Sequence, residues 1–244
     1  MMAEHAVAIA WRGSYSHGTY IPNVIDDKDL IAVHILPLDH YFGLRRYFGL
    51  RDTIEVKEGE WDIVCYEFRK LVSLLKKGNP NVIALLHQPG RQFIEMSAEF
   101  FEFRRNAHLF NSKQIYKSFI GYANTQMYKM THLAFEGYMG EKRKALVQKF
   151  GYDTKNAAHL IRLMRMAVEW LETLKFTVQR HDAKELIQIK TGEWELARVK
   201  EEADRLFKLA EQKFEKCTLP EEPDHAAIDK LCVKIIGDHY GRFD

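Results

Sequence analysis

Cysteine is scarce in this sequence, with three in 244 residues. Cys65, Cys217 and Cys232 are odd in number and lack the Cys-x-x-Cys spacing of zinc knuckles and redox motifs. A disulfide framework does not fit this pattern either. We therefore expect a protein of a reducing compartment, the cytoplasm.

Proline and glycine are also few, at 6 and 14 residues, whereas 46% of the residues are hydrophobic. This composition excludes long disordered segments and predicts a chain that buries one large core or two modest ones. No apolar run approaches the roughly 20 residues that a bilayer-spanning helix needs. No charged-then-apolar leader opens the chain. We expect a soluble protein that is not exported and has no membrane partner.

Net charge is nearly absent, because 36 Lys and Arg residues offset 34 Asp and Glu residues to leave a formal charge of +2. The chain therefore has no global field that would attract nucleic acid or a membrane surface. A site for a polyanion has to be local.

The hydrophobic pattern changes from strand-like to helical along the chain. Short apolar segments predict strands over 7–11, 29–36, 53–56 and 61–68, and a helix follows from Glu67 to a turn at 78–80. Beyond a turn at 89–90, the spacing predicts helices over 93–110, 113–135, 157–176, 183–190 and 193–216, and a short terminal helix after 224. Asp153 is a predicted cap of the third of these. We predict an α+β fold with a small mixed-sheet core over 1–90 and a helical domain over 91–244.

A Gly-Ser pair follows the first predicted strand. Gly13 and Ser14 open a loop that continues to a second glycine, Gly18. Glycine lets the backbone approach a phosphate closely, and backbone N–H groups and a hydroxyl can donate to its oxygens. A Gly-Ser pair by itself is more often a plain turn, so this interpretation depends on the residues that follow.

Carboxylates stand where later strands begin. Asp27 and Asp29 are two residues apart, so in a strand both lie on one face of the sheet. They are hard oxygen ligands of the kind that Mg²⁺ prefers, whereas Asp26 belongs to a solvated turn. Asp62 opens the last predicted strand and is the candidate third ligand. Glu67 is the alternative, but it has the opposite parity and begins a helix. Together these carboxylates predict a site for two metal ions.

The order Gly-Ser, spacer, Asp-x-Asp, distant Asp resembles the nucleotidyltransferases of the DNA polymerase β superfamily. Further segments resemble one bacterial and phage branch, which includes the RNA-repair-associated DNA polymerase β family. These segments lie at 62–70, 77–82, 118–123, 151–155, 159–163, 192–194 and 219–224. The resemblance covers nearly the whole chain.

The resemblance implies transfer of a nucleotide from a nucleoside triphosphate, with two Mg²⁺ ions, or Mn²⁺ in their place, held by Asp27, Asp29 and Asp62. Gly13 and Ser14 would bind the nucleotide. Two basic residues near the 157–176 helix are further candidates for nucleotide binding. Lys155 stands where this helix starts, and Arg162 shares a face with His159 away from the apolar stripe.

Three hypotheses about the function stay open, and they differ in the acceptor or in whether the protein transfers a nucleotide at all. RNA is the first, with end modification or repair as the reaction, because the branch is associated with RNA repair. Transfer to a protein or a small molecule, as in toxin and antibiotic-modifying relatives of the fold, is the second, and the near-neutral charge weakly favours it. A non-catalytic nucleotide-binding protein is the third, and the intact Asp27 and Asp29 argue against it.

Overall fold

The computed structural model describes residues 6–25, 28–43, 52–132 and 141–241 of the chain, with residues 141–143 as backbone only. Five strands form one mixed sheet in the order β3-β4-β2-β1-β5. They are β1 (Ala6–Trp11), β2 (Lys28–His34), β3 (Thr53–Glu58), β4 (Trp61–Glu67) and β5 (Phe93–Met96). Strands β2 and β4 are parallel, and the other pairs are antiparallel. Hence β2 and β4 start at the same edge of the sheet.

Helices make up most of the remaining described chain. They are α1 (Gly13–His17), α2 (Leu38–Phe42), α3 (Phe68–Lys76), α4 (Pro80–His87), α5 (Ala98–Arg105), α6 (Lys113–Thr131), α7 (Glu141–Phe150), α8 (Thr154–Thr173), α9 (Ala183–Thr191), α10 (Leu196–Glu215) and α11 (His225–His239). An N-terminal sheet followed by a helical C-terminal part confirms the predicted α+β fold.

Side-chain caps determine where several helices begin. The Glu67 carboxylate accepts the Lys70 N–H at 3.0 Å and starts α3. The Asp153 carboxylate accepts the Asn156 N–H at 3.0 Å and starts α8, as the sequence predicted. Helix α8 ends three residues before the predicted 176, because Leu174 adopts a left-handed conformation with φ of 55°.

Several segments differ from the prediction, and helices α2 and α7 were not predicted at all. The predicted helix over 93–110 is instead strand β5, helix α5 and a short 3-10 turn, because 93–96 pairs with the open edge of β1. Helix α4 was not predicted, although Asn79 caps it and Pro80 occupies its first turn. The predicted loop after Gly13 contains the single-turn helix α1. Long-range pairing therefore overrode the local pattern at β5.

Two hydrophobic cores share helix α8. Its residues Leu163, Met166 and Trp170 pack in the core that covers the sheet. Its residues Leu160 and Met164 pack in a second core with α6, α9 and α10. Strand β5 and helix α5 follow residue 90 and contribute to the first core. The division of the chain into two domains at residue 90 stays a prediction. In the described part of the chain, no helix combines the length and the apolarity that crossing a membrane requires.

A network of buried ion pairs joins α8, α9 and α10. The Arg180 side chain is 0% exposed and donates to Glu169 at 2.6 and 2.7 Å and to Asp182 at 2.8 Å. Arg165 donates to the same Asp182 at 2.7 Å and to Glu202 at 3.0 Å. Burial would raise the pKa of the Asp182 carboxyl, but hydrogen bonds from Arg180 and Arg165 outweigh it and hold the pKa at about 2.

Replacing Arg180 should strongly destabilise the fold. Arg180→Met leaves two carboxylates without their buried partner, which typically costs about 3–5 kcal/mol of unfolding free energy. Arg205→Met is the matched control, because Arg205 is 59% exposed and its pair with Glu202 should contribute less than about 1 kcal/mol. Urea unfolding of both variants measures the two values. Equal losses would show that the Arg180 pairs stabilise the fold no more than an exposed ion pair does.

The contribution of Asp182 to the free energy of unfolding should disappear in acid. Because its pKa of about 2 lies below its unfolded value of 3.8, the stabilisation is complete above the unfolded pKa and is lost as the pH falls toward the folded one. The difference in unfolding free energy between wild type and Asp182→Asn should therefore stay constant between pH 6 and 5. It should shrink by about 2 kcal/mol as the pH falls below 4. Urea titrations at each pH measure this difference. A constant gap down to pH 3 contradicts the expectation.

Candidate active site

Two predicted carboxylates lie side by side at the edge where β2 and β4 start. Asp29 of β2 and Asp62 of β4 are register partners in these parallel strands. Neighbouring strands are about 4.8 Å apart, and residues paired in register share a face. Asp27 lies outside the described residues, so its place beside Asp29 stays a prediction.

Glu67 lies at the opposite end of β4. Five residues separate it from Asp62, which corresponds to about 16 Å along the strand. Its carboxylate is 2% exposed and accepts the Tyr41 hydroxyl at 2.8 Å as well as the Lys70 N–H. Both oxygens are thus engaged, one in capping α3 and the other in binding Tyr41 of α2. This placement favours Asp62 over Glu67 as the third carboxylate.

Basic side chains hold Asp62 in place. Arg12 Nη2 lies 2.7 Å from Asp62 Oδ1, and Lys57 Nζ lies 3.7 Å from Oδ2. Over the described ranges, no group of three His, Cys, Asp or Glu side chains could hold a metal ion. The described residues supply two adjacent carboxylates, Asp29 and Asp62, and Asp27 would complete the predicted set.

The Gly-Ser pair packs directly against Asp29. Gly13 has φ of 61°, and a Cβ built on it would lie 2.0 Å from Asp29 Oδ2. Only glycine brings the backbone this close to the carboxylate without strain. Ser14 is 9% exposed, and its buried hydroxyl has no hydrogen-bond partner within the described part of the protein. Gly13 thus allows the Asp29 carboxylate to pack against the backbone of the loop that carries Ser14.

Helices α8 and α9 supply the opposite wall of the same cleft. The cleft has a volume of about 190 Å³. Its lining includes Asp29 and all four predicted nucleotide-binding residues, which are Gly13, Ser14, Lys155 and Arg162. His17, His159 and Lys190 line it too. The structure thus brings these predicted residues together, whereas Asp62 lies outside the lining of the cleft.

Lys190 and His17 were missed by sequence reasoning. Lys190 stands near the end of α9 in a stretch whose spacing indicates only an amphipathic helix. His17 follows the Gly-Ser pair by three residues and carries no motif of its own. Their positions in the cleft depend on how the helices pack.

Arg162 is a partly buried cation without an acidic partner in the regions that the structure describes. Its guanidinium donates to Met166 Sδ at 3.2 Å. Burial, and then the charge of Arg180, lowers the pKa of Arg162 to about 9, so it stays protonated at neutral pH. A buried charge is costly unless it is paired. An anionic ligand in the cleft would supply the missing partner.

The chain matches one family of known proteins. The family model described as "RNA repair pathway DNA polymerase beta family" matches residues 4–234 of the 244. This match confirms the resemblance that the sequence motifs indicated. No curated protein matches the chain.

Substituting Gly13 should destabilise the protein. Gly13→Ala forces a Cβ into Asp29 and into a left-handed backbone, and we expect a loss of about 1–3 kcal/mol in unfolding free energy. Gly121→Ala is the control, because Gly121 lies within helix α6 and its Cβ would meet nothing within 4 Å. That change should stabilise the protein slightly. If Gly13→Ala unfolds at the urea concentration of wild type, the close packing on Asp29 is not maintained in solution.

Proposed function

Because this chain belongs to the RNA repair pathway DNA polymerase beta family, we propose that it is a Mg²⁺-dependent nucleotidyltransferase acting on RNA. In this proposal a nucleotide moves from a nucleoside triphosphate to an acceptor hydroxyl. The family description indicates an enzyme of the nucleotidyltransferase type. The cleft between α1 and α8 is the observation that carries the proposal.

The two walls of the cleft suit the two parts of a metal-nucleotide substrate. The sheet side presents the Asp29 carboxylate, and the helical side presents Lys155, Arg162 and Lys190. Cations compensate the negative charge of triphosphate oxygens. The Ser14 hydroxyl lies between the walls as a further donor to a phosphate oxygen.

The carboxylates suit Mg²⁺, which takes oxygen ligands and keeps several waters. Asp29 and Asp62 would hold it from adjacent strands, together with Asp27. The absence of a Cβ on Gly13 lets the Asp29 carboxylate pack against the Gly-Ser backbone. When bound, Mg²⁺ activates the attacking hydroxyl and neutralises charge on the leaving pyrophosphate.

The residues of the chain mainly supply position and charge. An acceptor hydroxyl attacks the α-phosphorus in line, the bond to the pyrophosphate oxygen breaks, and pyrophosphate leaves. Lys155, Arg162 and Lys190 neutralise the charge that grows on the leaving group. Arg12 keeps the Asp62 carboxylate oriented through its 2.7 Å ion pair. Fixed charges of this kind need no reorganisation during the reaction.

RNA is the acceptor that the family description supports, since it places the family in an RNA repair pathway. The chain carries a formal charge of only +2, so RNA would be held by local contacts rather than by a general field. Purified protein, Mg²⁺ and each labelled nucleoside triphosphate, offered RNA with a free 3′ end, would test this. Cellular protein offered in parallel tests the alternative acceptor.

Neutralising Asp29 should abolish transfer while leaving the fold intact. Asp29→Asn keeps the shape of the side chain but removes a charged metal ligand, and we expect a loss of at least about a hundredfold in rate. Asp62→Asn should act in the same direction. Incorporation of label into RNA measures the rate, and thermal unfolding verifies the fold.

Two matched variants control this experiment. Asp204→Asn changes an exposed carboxylate of α10 and should keep full transfer. Glu67→Gln removes the charge that caps α3, so it should lower stability while the folded fraction still transfers. Full activity in Asp29→Asn would refute the proposed function. Lost activity in a folded Glu67→Gln, with Asp62→Asn active, would reverse the choice of the third carboxylate.

A further inference from the structure

A second cavity adjoins the cleft at His17. It also has a volume of about 190 Å³ and shares His17 and Arg162 with the first cavity. Its walls combine the apolar side chains of Ile31, Pro80 and Leu85 with polar ones. A half-apolar cavity with a few polar groups is typical of sites for planar organic ligands. The two cavities therefore adjoin each other, with His17 in the wall of both.

Hydrogen bonding determines which nitrogen of His17 carries a proton. Nδ1 lies 3.0 Å from the Val178 carbonyl oxygen, which can only accept, so Nδ1 is the donor. Burial, followed by the charge of Arg162, lowers the pKa of His17 well below its usual value. The ring is therefore neutral at neutral pH, and Nε2 carries a lone pair. No described residue donates a hydrogen bond to Nε2.

The two arginines that line the second cavity are donors, and His159 lines both cavities as well. Arg162 and Arg12 present guanidinium groups, which cannot accept. Arg12 Nε is buried without a partner among the described residues, and its Nη2 is held by Asp62. Gln88 is 2% exposed and lines the second cavity, and its Nε2 has no partner in the described ranges either. A ligand that occupied both cavities would place acceptors near the guanidinium groups and a donor near His17.

A nucleoside triphosphate has this sequence of groups. Its phosphates suit the cationic first cavity, its base suits the half-apolar second cavity, and the ribose between them carries hydroxyl donors. We propose that His17 Nε2 accepts a hydrogen bond from a ribose hydroxyl of the bound nucleotide and thereby selects ribonucleotides over deoxyribonucleotides. This inference rests on the proposed function, since it requires a nucleotide in the cleft. It adds a specificity residue to that site.

The affinities of the intact protein for a series of nucleotides test the inference. Each ribonucleoside triphosphate, its 2′-deoxy form and its 3′-deoxy form are titrated with Mg²⁺ in a calorimeter. The 2′-deoxy form should bind about tenfold more weakly than the ribonucleotide, because without the 2′-hydroxyl the His17 acceptor stays unpaired. The 3′-deoxy form should bind like the ribonucleotide, and a loss of affinity in that form alone overturns the inference.

His17→Phe should remove this selectivity, because it keeps a ring of similar size without an acceptor. Ribonucleotide and deoxynucleotide should then bind within twofold of each other. His87→Phe is the control, since His87 is a partly buried ring in edge-to-face contact with Phe176 outside both cavities, and it should keep the wild-type preference. Thermal unfolding verifies that both variants fold. If His17→Phe does not fold, the nucleotide series on wild type still tests the role of His17.

The outcomes separate the two proposals. Equal affinity of wild type for all three forms overturns the role of His17 and leaves the proposed function standing. An unchanged preference in a folded His17→Phe also overturns it. Absence of binding by any nucleotide overturns the proposed function itself, and the role of His17 with it.

Discussion

The buried ion pairs of Arg180 are the interaction on which the candidate site depends. Arg180 lies in the loop between α8 and α9, and its fully buried side chain is held by Glu169 and Asp182. The same loop bonds to α1 through the Arg180 N–H, which donates to the His17 carbonyl at 3.1 Å, and through the Val178 carbonyl. The loop therefore links the sheet side of the cleft to its helical side.

This arrangement explains how a site on the first residues of the chain includes side chains some 140 positions later. Helix α8 packs in both cores, so its orientation is determined along its whole length. The ion pairs then fix the loop that leaves it. Because a buried pair is strongly destabilised when one partner is lost, displacement of this loop would be costly. Gly13, Ser14 and Arg162 stay opposite each other as a result.

Two arginines near the cleft illustrate how charge is distributed. Arg180 is neutralised by carboxylates of the helical part, whereas Arg162 has only Met166 as a hydrogen-bond partner within the described residues. Burial, and then the charge of Arg180, raises the cost of keeping Arg162 charged. The near-neutral net charge of the chain thus conceals a local excess of positive charge where a triphosphate is proposed to bind.

The sequence by itself determined the α+β class, the strands that carry Asp29 and Asp62, the Asp153 cap and the family. These features depend on local periodicity, capping chemistry and motif order, which neighbouring residues specify. Only the tertiary structure decided that 93–96 forms a strand, because the open edge of β1 supplies its hydrogen bonds. It also placed Lys190 and His17 in the cleft. Which side chains meet across the cleft depends on how distant helices pack, and no local pattern carries that information.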